Sequence, residues 1–335
     1  MSVAIVFACL GLTARATLDP VAFLRTHGGF SPDDIASLDR GESIAHSINA
    51  DGSEVAIAAA TMMAIPIEFY LQRFQAIESF KQSADVLQVG RFSTVPSAVD
   101  LRALTLDAGD VSALRQCRVG DCDVKLDATG ITRLSRAPDI SEAFRSHLAA
   151  YAARYLREGN AALMTYHDKR DPHPLAGDLE RIAARSPYLP ELSSAIRSAV
   201  VDFRGTLPAD LGQFLYWSKE KPPGKAIVSV THAIIHPETQ GVAVVATKQL
   251  YASHYMTGSL GLTVLVNRGA AGAPRTLIVY VNRTRVDVFD GVLGPVKRPI
   301  VRARARGSAQ HLLDRLRQRL EAEYRAAPKG SLPPR

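Results

Sequence analysis

Between residues 213 and 324 the chain runs through five β-rich segments and then changes to a long basic amphipathic stretch. The segments at 213–219, 226–236, 241–255, 259–266 and 276–286 carry Val, Ile, Thr and Tyr and read as antiparallel strands. Residues 295–324 read as one helix that turns Leu312, Leu316 and Leu320 toward them. This order constrains the chain to an α+β fold, a curved antiparallel sheet packed on a long C-terminal helix. Space between the two would admit an apolar guest.

The remainder supports a folded protein. Hydrophobic residues make up 47% and charged residues 22% of 335, which excludes bulk disorder and gives enough chain for a sizeable core. Net charge is +7, and Lys297, Arg298, Arg302, Arg304 and Arg306 concentrate positive charge near the C-terminus. Aromatics are 7% and are not interleaved with that basic run, so the stacking platform of a single-strand nucleic-acid binder is missing. Phosphate or an anionic membrane surface suits the patch better. In a helix Arg298, Arg302 and Arg306 share a face with Lys297 beside it. Pro299 and Gly307 count against an unbroken helix; an extended stretch would align Arg302, Arg304 and Arg306 instead. Salt bridges to Glu321, Glu323 or acids of the helical stretch 127–210 are the bland alternative for these bases.

Val3 to Leu12 is apolar but too short to span a bilayer, and Ala14-Arg15-Ala16 follows it. Residues 1–16 are read as a signal peptide and the protein as exported, periplasmic or extracellular, with its mature chain starting near Thr17. No Lys or Arg precedes the apolar run, so a buried N-terminal strand or helix is the alternative. Removing the leader removes Cys9 and leaves Cys117 and Cys122, placed to close a short Gly-containing loop as a disulfide, or to stay as two reduced thiols.

Along the chain, 17–50 reads as a helical lead-in with a helix start at Ser31-Pro-Asp-Asp. Residues 54–65 read as a strand, 67–81 as a helix with Ile67, Tyr70, Phe74, Ile77 and Phe80 on one face, and 85–93 as a second strand. Residues 127–210 are a helical insertion or cap, with Phe144, Leu148, Tyr151 and Tyr155 on one helix face; 168–174 is a polar loop. The tail, 326–335, is rich in Pro, Gly and Lys and is expected to be disordered.

The segment from Ala58 to Ser93, with its strand, Pro66, aromatic-faced helix and Val86-Leu-Gln-Val-Gly-Arg-Phe-Ser93, resembles the opening of the START-like helix-grip superfamily. The final strand with Val279-Tyr-Val-Asn-Arg283, the glycines of Asp290-Gly-Val-Leu-Gly294 and the last helix resemble its ending. Together they cover roughly half the chain, and the helical insertion has no counterpart in a minimal domain of that class. The resemblance implies a cavity between sheet and C-terminal helix that holds a lipid or other hydrophobic small molecule.

Strand 241–255 is polar on both faces, which fits a wet cavity wall. Ser229, Thr231, Thr247, Gln249, Tyr251 and Ser253, with Leu312, Leu316 and Leu320, are the expected lining. The chain has no nucleophile elbow, zinc-protease motif, phosphate loop or dinucleotide fingerprint, and implies no cofactor. His167 and His173 flank Asp168 and Asp171, but no further ligand spacing supports a metal. Asp121, Asp123 and Lys125 alternate as on a solvated strand. His254, Tyr255 and Lys248 are the weak catalytic candidates. Three functions follow: a carrier of a hydrophobic molecule, a cyclase- or hydrolase-type enzyme using those three residues, or a cell-envelope interaction module.

Overall fold

The computed structural model describes residues 19–222, 224–239, 241–270, 272–289 and 294–327. The leader reading and nearly all of the tail reading fall outside them. Ala326, assigned to the tail, is the last residue of the final helix.

Two short helices open the described chain, α1 (Pro20–Gly28) and α2 (Pro32–Asp39). Asp19 accepts the amides of Val21 and Ala22 to start α1. Ser31 and Asp34 exchange side-chain and backbone hydrogen bonds as a capping box that starts α2. The lead-in then ends in a strand that its composition concealed, β1 (Ile44–Ser47), which pairs with β2 (Glu54–Met63). All ten residues of β2 are buried, and its run of alanines lets elements approach closely from both faces.

The expected helix over 67–81 is two, α3 (Ile67–Gln75) and α4 (Ile77–Phe80), because Ala76 leaves the helical region at ψ 59°. After β3 (Val86–Arg91) comes α5 (Ala108–Gln116), and the insertion then supplies α6 (Ala128–Ser135), α7 (Ile140–Glu158), a two-residue ladder of β4 (Thr165–Tyr166) with β5 (His173–Pro174), α8 (Leu175–Ala184) and α9 (Ser194–Val201). The polar loop at 168–174 is mostly the turn of that small ladder. The chain then returns through β6 (Gly212–Glu220), β7 (Ile227–Thr239), β8 (Val242–Ala252), β9 (Met256–Asn267) and β10 (Thr276–Val286) to α10 (Gly294–Ala326). Pro299 is accommodated near the start of α10, where it removes only the bond to the Pro295 carbonyl.

Eight strands form one sheet in the order β1-β2-β10-β9-β8-β7-β6-β3, and every neighbouring pair is antiparallel. The first long strand therefore pairs with the last, and β3 pairs with β6 across the whole insertion. Helices cover both faces. On one face α1, α2 and the insertion share a single core with Val228, Val230, Ile234, Val244 and Leu262. The insertion is thus a layer of the fold, sharing its core. It is tied down by a polar anchor as well, Tyr151 Oη donating to the Leu250 carbonyl at 2.8 Å, and the segment before it is held by Trp217 Nε1, which donates to the Asp100 carbonyl at 2.8 Å. Gly159, at φ 63°, is required where α7 ends, since a Cβ there would overlap the Phe203 carbonyl that receives the Asn160 amide.

On the other face α3 and the C-terminal part of α10 pack on Ala233, Ile235, Ala243, Val245, Leu265 and Ile278 through Phe69, Phe74 and Leu320. Leu313 of α10 reaches Ala45 and Ala59, and Val301 and Ala305 pack near Val55, Ile57 and Phe289.

Candidate functional site

Side chains two residues apart along a strand share a face. Moving down the α10 side of the sheet from Ala233, Val245 and Ile278, the lining changes from apolar to hydrogen-bonding. Ser229 and Thr231 precede Ala233 on its face; Thr247 and Gln249 follow Val245; Tyr280 and Asn282 follow Ile278. Thr247 stands in register with Gly261, which stands in register with Asn282. A Cβ at Gly261 would press into Thr247 Oγ1, so the glycine lets these two polar groups close over its strand.

Several of the polar groups on this face bond one another. Ser259 and Thr284 hydroxyls lie 2.7 Å apart, Thr284 Oγ1 donates to Asn282 Oδ1 at 2.8 Å, and Asn282 Nδ2 donates to Ser259 Oγ at 3.2 Å. Ser218 and Ser229 hydroxyls are 3.0 Å apart, with Ser218 also donating to Glu220 Oε1 at 2.7 Å. Lys81, just after α4, completes the row with its ammonium 2.7 Å from Glu220 Oε1 and 5.5 Å above the Tyr216 ring. Burial works against that ammonium, but Tyr216 and the Glu220 carboxylate outweigh it and hold Lys81 above its ordinary pKa. Burial pushes the Tyr280 hydroxyl up to about 12. Thr247, Ser259, Thr263, Tyr280, Asn282 and Thr284 remain half-buried, so the row is reachable from solvent. The arrangement can bind through many neutral donors and acceptors and one ion pair; it presents no nucleophile with an adjacent base.

Of the expected lining, Ser229, Thr231, Thr247 and Gln249 lie on this face. Tyr251 and Ser253 do not, which corrects the simple alternation assumed for the strand. Val230 pairs with Tyr251 and Thr231 with Gln249, so Leu250 is an extra residue, and the bulge turns both Leu250 and Tyr251 into the insertion-side core. Ser253 is buried, with its hydroxyl accepting the Val228 amide at 3.0 Å. On α10, Leu320 is buried and Leu316 partly buried on the sheet, but Leu312 is 51% exposed and Leu313 takes the inward place. A cavity of about 240 Å³ lies elsewhere, between α1, α2 and the β2–β10 pair, lined by residues including Leu24, Leu38, Met62 and Arg275.

The catalytic candidates are dispersed. Lys248 is buried under the insertion, donating to Asn160 Oδ1 at 2.7 Å and to the Val200 carbonyl at 3.2 Å. His254 is buried beside Asp110 of α5, 3.2 Å away. Tyr255 closes the β8–β9 turn at φ 60°, the one non-glycine residue with positive φ among those described, and its hydroxyl accepts the Lys225 amide at 2.9 Å. Lys248 and Tyr255 therefore serve different parts of the fold, and neither joins the polar row.

Cys117 and Cys122 form a disulfide whose Cα atoms are 4.5 Å apart. Amides inside the loop it closes, Gly120 and Cys122, donate to the carbonyls of His167 and Asp168. Residues 121–125 form no strand. Lys125 is buried, paired with Asp287 at 2.6 Å and Asp168 at 3.4 Å, and Asp123 pairs with Lys225. His167 Nδ1 meets the Thr165 carbonyl and His173 meets Asp178. Among the bases of α10, Arg302 turns inward and donates to the carbonyls of Asp51 and Glu54 at 2.6 and 2.9 Å, which removes it from the expected exposed basic face. Glu321 and Glu323, offered as acid partners for these bases, instead engage the Ala64 amide and Arg73.

Lys81, Glu220, Tyr280 and Asn282 were missed in the sequence. The period-two hydroxyl and amide pattern of 276–286 could have signalled Asn282 and Tyr280; Lys81 could not be placed without the fold.

By class the protein is an α+β chain built on a large antiparallel sheet with a long C-terminal helix. No protein-family model matches the sequence, and no curated protein is significantly similar to it.

Proposed function

We propose that the chain is a START-like helix-grip protein that binds or transfers an amphiphilic small molecule, a lipid or similar compound, between the sheet and α10. The fold reading is supported by topology. Starting from β2, a strand, two short helices, a strand, five meandering strands and a final helix give the order β2-β10-β9-β8-β7-β6-β3, with β1 added at the edge. The observation that carries the function is the row of hydroxyl, amide and ion-paired side chains on a sheet face where a dry core would be apolar. Such a row satisfies a ligand's polar group, while the neighbouring cluster around Ile278 and Leu316 accepts an apolar part.

Thr247 is the place to test this, being half-buried in the middle of the row. Thr247→Trp is expected to weaken binding of a fluorescent fatty-acid probe at least about tenfold by filling space, with the melting temperature changed by only a few degrees. Unchanged probe binding, or no probe binding by the unmodified protein, overturns the reading. The proposed setting is outside the cytoplasm, supported by the Cys117–Cys122 disulfide. Native protein is then expected to begin near Thr17 on N-terminal sequencing; a start at Met1 or Ser2 defeats that part.

A further inference from the structure

From Gly291 to Leu313 the chain contains no Asp or Glu but five Lys and Arg. The structure divides those five. Arg302 is used internally, on the carbonyls of Asp51 and Glu54, and Arg298 is half-buried with its guanidinium 5.8 Å from the Phe289 ring centroid. Lys297, Arg304 and Arg306 are exposed. So are two branched apolar residues that join no apolar cluster among the described residues, Val296 at 65% and Ile300 at 59%.

Helical spacing orders these groups. Val296, Ile300, Ala303 and Gly307 follow at steps of four, three and four, which puts them in one outward stripe. All four are exposed. Lys297 and Arg304 run along one side of the stripe and Arg306 along the other. An apolar strip between cationic margins is the pattern of a helix that lies in a membrane interface. No described helix is long and apolar enough to cross a membrane, so the mode is surface docking.

We propose that the first half of α10 docks the protein on an anionic phospholipid surface, with Val296 and Ile300 entering the headgroup–acyl boundary and Lys297, Arg304 and Arg306 meeting lipid phosphates. A nucleic-acid backbone would satisfy the bases but leave both branched side chains in water, so the exposed stripe selects a bilayer. This inference is independent of what occupies the polar row.

The experiment is sedimentation of the full chain with phosphatidylcholine vesicles, with and without phosphatidylglycerol, at low and high salt. The unmodified protein is expected to sediment with the anionic vesicles only, and less so at high salt. Lys297→Glu/Arg304→Glu is expected to lose at least about tenfold in partitioning, since each base near an anionic surface is worth a several-fold factor. Val296→Ser/Ile300→Ser is expected to lose about tenfold while keeping the salt dependence. All four side chains are exposed, so circular dichroism and melting should not change. Equal sedimentation with both vesicle types, none with either, or unchanged partitioning in either variant overturns the proposal, as does retention on DNA without vesicle binding.

Discussion

Stability of the folded chain is expected to rise by on the order of 3 kcal/mol between pH 7 and about pH 9.5, and replacing Lys248 with methionine should abolish most of that rise. Lys248 is 1% exposed, and burial lowers its pKa from 10.5 to about 7. Its ammonium rests on the Asn160 side chain, the Val200 carbonyl and the faces of Tyr155 and Phe203, with no carboxylate partner among the described residues. Between the folded and unfolded values the unfolded chain binds more protons, so stability increases with pH across that window. Below it both states are protonated, and the folded state bears the whole burden of a buried charge. Neighbouring His232, held between Tyr155 and Gln213, has its pKa depressed by burial and then by Lys248. Its contribution is present above 6.5 and is lost as pH falls below that value. Urea unfolding across the pH range, for the unmodified protein and Lys248→Met, measures both slopes. An unchanged alkaline slope in the variant would refute the assignment.

Asp178→Ala is expected to cost about 3–5 kcal/mol, the range for breaking one partner out of a buried ionic cluster. Asp178 has a fully buried side chain, and its carboxylate meets Arg181 at 2.6 Å, His173 at 2.7 Å and Arg285 at 2.9 Å. Arg285 also holds Asp51 at 2.6 Å, and the adjacent Arg283 pairs with buried Glu54 at 2.9 Å. The cluster joins α8 to the ends of β2 and β10, which fixes the insertion to the strand pair that closes the sheet. Burial alone would raise the Asp178 pKa; hydrogen bonds from His173, Thr257 and Arg181 reverse this and hold it well below 3.8. Its contribution is therefore complete above 3.8 and is lost as pH falls through the lower folded value. Denaturant midpoints at neutral pH test the first statement, and acid titration of the unmodified protein against Asp178→Ala tests the second. A loss under about 1 kcal/mol would place the cluster with solvated surface pairs instead.

Neither buried group announced itself in the sequence. Asp178 reads as an ordinary helix acid, and the cluster it joins also draws on Asp51, Glu54 and Arg285, far from it along the chain. Lys248 drew notice only as a catalytic candidate on a polar strand, and nothing in the sequence marked it as a buried ammonium without a carboxylate partner among the described residues. What could be read locally was the strand run from β6 to β10, because long segments bounded by Gly and Pro carry their own signal. The start of α2 was equally legible, since Ser31 and Asp34 cap their own helix. β1 was missed because so short a segment, with only Ala45 buried, acquires strand character only through pairing with β2.

The faces of β8 show where local reasoning stops. Period two assigned Tyr251 and Ser253 to the same wall as Thr247 and Gln249, and that rule fails once the partner strand admits Leu250 as an extra residue. The side chains of α10 divide in the same way. Sequence determined that the helix exists, that it is basic, and that it carries leucines at helical spacing. Only packing decided that Leu313 turns inward while Leu312 stays exposed, and that Arg302 caps carbonyls of the β1–β2 connection while Lys297 and Arg304 face water. Hydrophobic periodicity and capping act within a few residues and are written in the chain; bulges, buried ion clusters and inward-turned arginines depend on groups that only the assembled sheet and its covering helices bring together.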